Sequence, residues 1–92
     1  MYVVVVTVDI DAAQLEGSRQ ALQEQVIPRV SQSPGFVKGY WTAGSDPTRG
    51  MSFVLFDNQQ DAENAKKMIS GGGLPPMVTL VSAEVREVIA EA

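Results

Sequence analysis

The chain contains no cysteine and no histidine. Disulfide bonds and thiolate metal sites are therefore excluded, as are the commonest general base and the commonest ligand of metals and haem. A serine triad is also excluded, because it needs a histidine to activate its nucleophile. A chain of 92 residues without disulfide bonds or a structural metal commonly gains stability by oligomerisation. We expect one domain over residues 1–92, with no metal or other cofactor, in a reducing cytoplasm.

Charge is sparse and dispersed, with 7 Lys and Arg against 11 Asp and Glu. The cations form no basic stripe interleaved with aromatics, so no nucleic-acid partner is expected. The apolar run at the N-terminus ends at Asp9 and lacks both a positive region and a cleavage site, which is typical of a strand rather than a signal peptide. No segment approaches the ~20 apolar residues of a membrane span, so no membrane partner is expected.

Four segments have the β-branched and aromatic content of strands. The first and third are apolar at both parities, which is typical of strands buried on two faces. A loop over 44–50, rich in Gly, Asp and Pro, predicts a hairpin between the second and third. The predicted strands cover residues 2–9, 36–43, 51–57 and 83–90.

Two segments have helical spacing of apolar residues. The first runs over 12–31 with Asp11 as its N-cap, and Pro28 should bend it. Gly17 weakens its first turns, so the main body could instead start at Ser18. In this segment the polar residues Arg19, Gln23, Glu24 and Arg29 are predicted to fill the face away from the core. The second helix follows a cap at Asp57 or Asn58 and stops at Ser70.

This order of elements predicts a ferredoxin-like βαββαβ fold of the α+β class: a four-stranded antiparallel sheet with two helices on one face. The first and third strands should be central. The other face is left bare and apolar, through either the Val3/Val5 set or the set that includes Val4 and Val6. Because such patches are rarely exposed, we expect a homodimer formed through this sheet face. The alternative is a monomer whose bare face is covered by loop 71–82 and the C-terminal tail.

Several motifs resemble the dimeric α/β-barrel superfamily, and more closely its small antibiotic-biosynthesis-monooxygenase-like members. They are Pro34-Gly35-Phe36 leading into Gly39-Tyr40-Trp41, the Gly/Asp/Pro hairpin, Ser52 to Asp57, and the helix opening Gln60-Asp61-Ala62. The resemblance spans residues 2–90. It implies a paired barrel and a small apolar or aromatic ligand, with an activity like that of cofactor-independent monooxygenases acting on aromatic or polyketide-like molecules. Haem-binding members use a histidine that this chain lacks.

The resemblance also implies ligand-binding residues by type, among them Tyr40, Trp41, Asn64 and Arg86. Met68 on the second helix could also line a pocket. Tyr40 and Trp41 are neighbours on one strand, so only one can face the cleft between helices and sheet. Each of the five also has an ordinary structural role: packing for the aromatics and Met68, a solvated amide for Asn64, and a surface pair with Glu84 for Arg86. The function therefore stays open between an oxygenase-like enzyme and a non-catalytic ligand-binding or assembly module.

Overall fold

The computed structural model describes residues 1–92 as a four-stranded antiparallel sheet with two helical segments. The strands are β1 (Tyr2–Ile10), β2 (Phe36–Ala43), β3 (Arg49–Phe56) and β4 (Val78–Glu87). Their order in the sheet is β2-β3-β1-β4, which places the first and third strands at the centre as predicted. This is the ferredoxin-like α+β fold expected from the sequence.

Strand β4 begins at Val78, five residues before the predicted start at residue 83. It pairs with β1 along that strand's whole length, from Val78 opposite Ile10 to Glu87 opposite Tyr2. The pairing ends with a hydrogen bond from the Val88 N–H to the Met1 carbonyl, because no further residue of β1 remains to pair with. The extent of β4 is therefore set by its partner strand rather than by its own valine content.

Helix α1 covers residues 12–31 in four consecutive helical stretches. A 3₁₀ turn capped by the Asp11 carboxylate leads into an α-helical stretch, a π-helical turn and a last α-helical stretch, with the bounds Ala12–Gln14, Leu15–Ala21, Leu22–Val26 and Ile27–Ser31. In the π turn the Ile27 N–H bonds the Leu22 carbonyl, five residues back. Pro28 then falls in the first turn of the last stretch, where its missing N–H costs little. The sequence predicted a bend at Pro28, and the helix accommodates this proline through the π turn.

Helix α2 (Gln59–Ser70) begins at an Asn58 cap, one of the two caps predicted. The Asn58 side chain accepts a hydrogen bond from the Asp61 backbone N–H and donates one to the Asp61 carboxylate. The reciprocal pair satisfies a backbone donor that the first turn would otherwise leave free. Its buried residues, Ala62 and Ala65, are small, so the helix packs closely on the sheet.

The core lies between the helices and one face of the sheet, called here the covered face. Its centre is Phe56, fully buried and in edge-to-face contact with Phe36 at a ring-centroid distance of 6.3 Å. That geometry is the one aromatic pairs prefer. The buried hydrophobic cluster comprises Val4, Val6, Val30, Val54, Phe56, Ala62 and Ala65.

The opposite face of the sheet, called here the bare face, has no helix on it. The residues of alternate parity point there, among them Val3 and Val5 from β1 and Phe53 and Leu55 from β3. The structure thus selects the Val3/Val5 set of the two alternatives. Residues 73–75 lie on the covered side, and Ile89 in the C-terminal tail is 90% exposed. Neither segment therefore provides the cover that the monomer alternative requires.

Candidate functional site: a cavity beneath helix α1

A cavity of about 450 Å³ lies between helix α1 and the covered face of the sheet. Strands β1 and β3 form its floor with Val6, Val8 and Val54, and α1 closes one side with Leu15, Leu22 and Val26. Met68 and Ile69 at the end of α2 and the following Leu74–Pro75 connector close another. The volume and the mainly apolar lining are those of a site for a small organic molecule.

Trp41 is the only aromatic side chain in the cavity wall. It is half-buried on the covered side of β2, opposite Ser52 of β3 in the antiparallel register. The indole ring lies over Gly39, where a Cβ atom would come within 2.6 Å of two ring carbons. Gly39 therefore leaves the space that the indole occupies, and Trp41 is held against the strand.

Tyr40 points away from the cavity. It lies opposite Phe53 in the register and is 53% exposed on the bare face. The alternation of side chains along β2 thus assigns one aromatic to each side of the sheet. The sequence could predict that the two would separate, and the structure decides that Trp41 is the one in the cleft.

The other three predicted ligand-binding residues are placed differently from one another. Met68 lines the cavity. Asn64 is exposed on α2, where its side-chain oxygen accepts a hydrogen bond from the Gln60 amide at 3.0 Å. Arg86 lies on β4 opposite Val3, on the bare side, and pairs with Glu84 at 2.9 Å. Within one chain, therefore, Trp41 and Met68 come together, whereas Tyr40, Asn64 and Arg86 lie outside the cavity.

The polar groups of the cavity lie mainly along helix α1. The Ser18 hydroxyl is buried and donates to the Leu15 carbonyl at 2.7 Å, so it is already satisfied. Arg19, Gln23 and Arg29 line the rim, and the Arg29 guanidinium donates across the mouth to the Gly73 carbonyl at 3.3 Å. The prediction that these three residues all face away from the core was therefore wrong in part: they are exposed yet also border the cavity.

A sequence signal for these rim residues existed. Arg19 follows Leu15 by four residues and precedes Leu22 by three, which places it at the edge of the apolar stripe rather than opposite it. Long arginine side chains can extend from such a position over apolar surface while the charged head stays in water. Arg29 has a similar signal, because it follows Val26 by three residues and Leu22 by seven. The π turn adds a residue and shifts the phase of the helix after it, so this spacing alone does not fix the position of Arg29.

The cavity has an unusual charge balance for this acidic protein. Two of the seven cations line it, and none of the eleven acidic residues does. The pKa of one carboxyl group is clearly displaced, that of Asp46 in the hairpin loop, where hydrogen bonds from Thr48 lower it. Asp46 is outside the cavity. No lining residue is therefore a carboxylate or imidazole base, while an indole N–H, guanidinium groups and the Ser52 hydroxyl are available as donors.

No three acidic side chains converge to form a metal site. None of the helices is long and apolar enough to cross a membrane. The chain thus presents a ferredoxin-like domain with one apolar cavity bordered by cationic donors.

No protein-family model matches the chain, and no curated protein matches it in sequence. Solved structures do match in fold. A protein from Nitrosomonas europaea assigned as an antibiotic biosynthesis monooxygenase aligns with a TM-score of 0.70 at 15% identity, covering 98% of this chain and 100% of the other. The haem-degrader MhuD from Mycobacterium tuberculosis, solved with two haems in its active site, aligns with a TM-score of 0.75 at 15% identity over 100% and 99% of the chains.

A dimeric ferredoxin-like protein from an uncultured marine organism aligns with a TM-score of 0.68 at 12% identity, covering 100% of this chain and 98% of the other. At these identities the matches establish the fold. That fold is the one implied by the resemblance found in the sequence.

Proposed function

We propose that this protein binds a compact aromatic or polyketide-like molecule in the cavity beneath α1 and oxidises it in the manner of a cofactor-independent monooxygenase. The observation that carries the proposal is the cavity itself: about 450 Å³, mainly apolar, with the only tryptophan of the chain in its wall. A flat aromatic ligand could pack against the indole and the valine floor. Structural neighbours assigned as monooxygenases add support by analogy of fold.

The chemistry would be an oxidation of the substrate by dioxygen. An anthrone-type phenol loses a proton to solvent, and the resulting anion reacts with O₂. Its CH₂ group becomes a C=O group, one oxygen atom enters the product, and the other leaves as water with the two hydrogens. The substrate supplies all four electrons, so no other reductant is required. The protein would orient the anion and stabilise its charge through the Trp41 N–H and the rim guanidinium groups.

Haem is the cofactor bound by one structural neighbour, MhuD, and the donors of this cavity do not fit it. Haem iron in proteins takes an axial ligand from histidine, cysteine, methionine or tyrosine. Among the lining residues only Met51 and Met68 belong to that set. The register places the Met51 side chain on the bare face, and Met68 lies at an exposed position near the end of α2. We therefore derive no step that involves haem.

Oxygen uptake tests the proposal directly. Anthrone- and quinol-type phenols should give uptake above the buffer rate, with the matching ketone or quinone as product. Trp41→Phe keeps a ring of related shape but removes the N–H donor, so kcat/KM should fall by about tenfold or more. Lys67→Gln, an exposed change on α2 outside the cavity, is the matched control and should leave the rate unchanged. Uptake equal to buffer, or equal in wild type and Trp41→Phe, would overturn the oxygenase proposal.

A second candidate is a non-catalytic ligand-binding module, favoured by the lack of any carboxylate or imidazole base among the lining residues. It predicts that ligands raise the melting temperature without being consumed. Turnover of any bound ligand, detected by mass spectrometry, would reject this candidate.

We also propose that two chains pair through their bare faces. Tyr40, at 53% exposure, and Met51, at 40%, lie there with the half-buried Phe53 and Leu55, an apolar surface that a second copy of the same sheet would cover. The dimeric ferredoxin-like neighbour supports this mode. Sedimentation velocity at low micromolar concentration should show a species of twice the 9.9 kDa chain. A species that stays at one chain's mass would contradict it.

In such a dimer Tyr40 and Arg86 would become interface residues. Ligand contact by Tyr40, Asn64 or Arg86 stays a prediction, as does a cytoplasmic location. Substitution of these three residues in the oxygen-uptake assay would test the first of these.

A further inference from the structure

The rim arginines differ from other arginines of the chain in their partners. Arg49 is paired with Asp9 at 2.6 Å and Arg86 with Glu84 at 2.9 Å, and these are the two ion pairs in the structure. Arg19 and Arg29 have no carboxylate partner. Both are nevertheless located at the mouth of the cavity, on the same helix. Two unpaired guanidinium groups thus border the cavity in a protein whose net charge is −4.

The Arg29 side chain is held in place at that mouth. One of its terminal nitrogens bonds the Gly73 carbonyl, 44 residues away in the chain, on the connector that also supplies Leu74 and Pro75 to the cavity wall. A guanidinium group has five N–H donors in a rigid plane. The single bond to Gly73 leaves several donors free, so Arg29 is oriented by one contact and available for another.

The surroundings favour an anion at this position. The cavity floor is apolar, no acidic residue lines the walls, and the Gln23 amide adds a neutral donor between the two arginines on α1. A charged group at the edge of an apolar cavity is screened less than one in open solvent. Because guanidinium binds carboxylates through two parallel hydrogen bonds, the rim suits a planar oxyanion.

We propose that the ligand of this cavity is an amphipathic acid: an aromatic body beneath α1 and a carboxylate bound at the rim by Arg29, with Arg19, ten residues earlier on α1, adding a second positive charge. This inference rests on the proposed function, since it assigns a substrate class to the same cavity. It adds that the ligand enters with its apolar end first and keeps its charge at the mouth.

The test compares two probes of nearly equal size, anthracene-9-carboxylate and anthracene-9-carboxamide. Trp41 is the only tryptophan and lies in the cavity wall, so quenching of its fluorescence measures probe binding. The carboxylate should bind at least about tenfold more tightly than the carboxamide at low salt, because charge-assisted hydrogen bonds are roughly twice as strong as neutral ones. The ratio should shrink as the ionic strength rises.

Three variants test whether the preference for the carboxylate over the carboxamide comes from the rim arginines. Arg29→Gln and Arg19→Gln should each reduce the ratio of carboxylate to carboxamide affinity by about threefold or more. Arg29→Lys keeps the charge but not the planar fork and should lie between wild type and Arg29→Gln. Lys67→Gln removes the same charge from an exposed site outside the cavity and should leave the ratio unchanged. The ratio separates the charge effect from any loosening of the Gly73 contact, which would weaken both probes alike.

The outcomes show whether a negative result contradicts ligand binding in the cavity or only the selectivity for an acid. If neither probe quenches Trp41, the binding function itself is wrong. If both bind equally in the wild type, or if Lys67→Gln lowers the ratio as much as Arg29→Gln does, the cavity binds ligands but the rim does not select for an acid. A high ratio that depends on Arg19 and Arg29 supports the proposal.

Discussion

The two faces of the sheet are built from the same strands but differ in how deeply their side chains are buried. On the covered face Val4, Val54 and Phe56 are at most 3% exposed, beneath two helices. On the bare face their neighbours Val5, Phe53 and Leu55 remain partly exposed in the single chain. Both sets are equally apolar, so hydrophobicity does not distinguish them. What distinguishes them is the cover: helices from the same chain on one side and, as we propose, a second chain on the other.

The largest effect on stability should come from substituting Phe56, when it is compared with Phe53 on the same strand, β3. Phe56→Ala removes a fully buried ring and its contact with Phe36, and should cost about 3–5 kcal/mol of unfolding free energy. Phe53→Ala, on the bare face, should cost less in unfolding and should weaken self-association instead. Urea unfolding and sedimentation velocity at one protein concentration measure the two effects. Equal unfolding losses with no change in association would remove the distinction between the faces.

A smaller effect should follow from filling the space beneath Trp41. In Gly39→Ala the new Cβ would meet the indole ring at 2.6 Å, so the ring must move, at a cost of about 1–3 kcal/mol. Ligand binding to the cavity should weaken, and the tryptophan emission should shift, while self-association through the other face is unaffected. The matched control is Gly44→Ala, where the added carbon meets nothing within 4 Å. Unchanged emission in Gly39→Ala would show that the indole is not held against this strand.

Helix α1 can be stabilised by a substitution that changes neither face of the sheet. Gly17 lies in α1, and a Cβ there would meet nothing within 4 Å. Gly17→Ala should therefore raise the unfolding free energy by roughly 0.5–1 kcal/mol through helix propensity alone. Thermal unfolding would detect this gain, and the dimer dissociation constant should stay the same. A loss of stability would indicate that the glycine serves the curvature of α1.

The smallest effect concerns the hairpin, which belongs to neither face. Thr48 donates to the Asp46 carboxylate through its hydroxyl at 2.6 Å and through its backbone N–H at 3.0 Å, and these bonds lower the pKa of Asp46. A depressed carboxyl pKa stabilises the fold above about pH 4, and this contribution disappears as the pH falls through the folded pKa. In Thr48→Val the pKa of Asp46, followed by NMR titration, should move back toward its ordinary value. No movement would mean that the side-chain bond is not formed in solution.

Much of this architecture could be predicted from local patterns. The apolar runs at both parities identified β1 and β3 as central strands, Asn58 was one of two predicted caps, and the bounds of β2 at 36–43 were confirmed. Local patterns failed for β4, whose extent depends on hydrogen bonding to β1, and only in part for the rim of the cavity. Arg29 is oriented at the mouth by a carbonyl far along the chain, and that contact is not visible in a helical stripe.

The amino-acid sequence by itself determined the order of strands and helices, the separation of Tyr40 from Trp41, and the exclusion of histidine and thiol chemistry. These follow from residue types and from the two-residue and 3.6-residue periods of backbone geometry. Only the tertiary structure decided which aromatic faces the cavity and which arginines border it. Such placements depend on how separate segments pack against one another, and packing joins residues that have no relation in sequence.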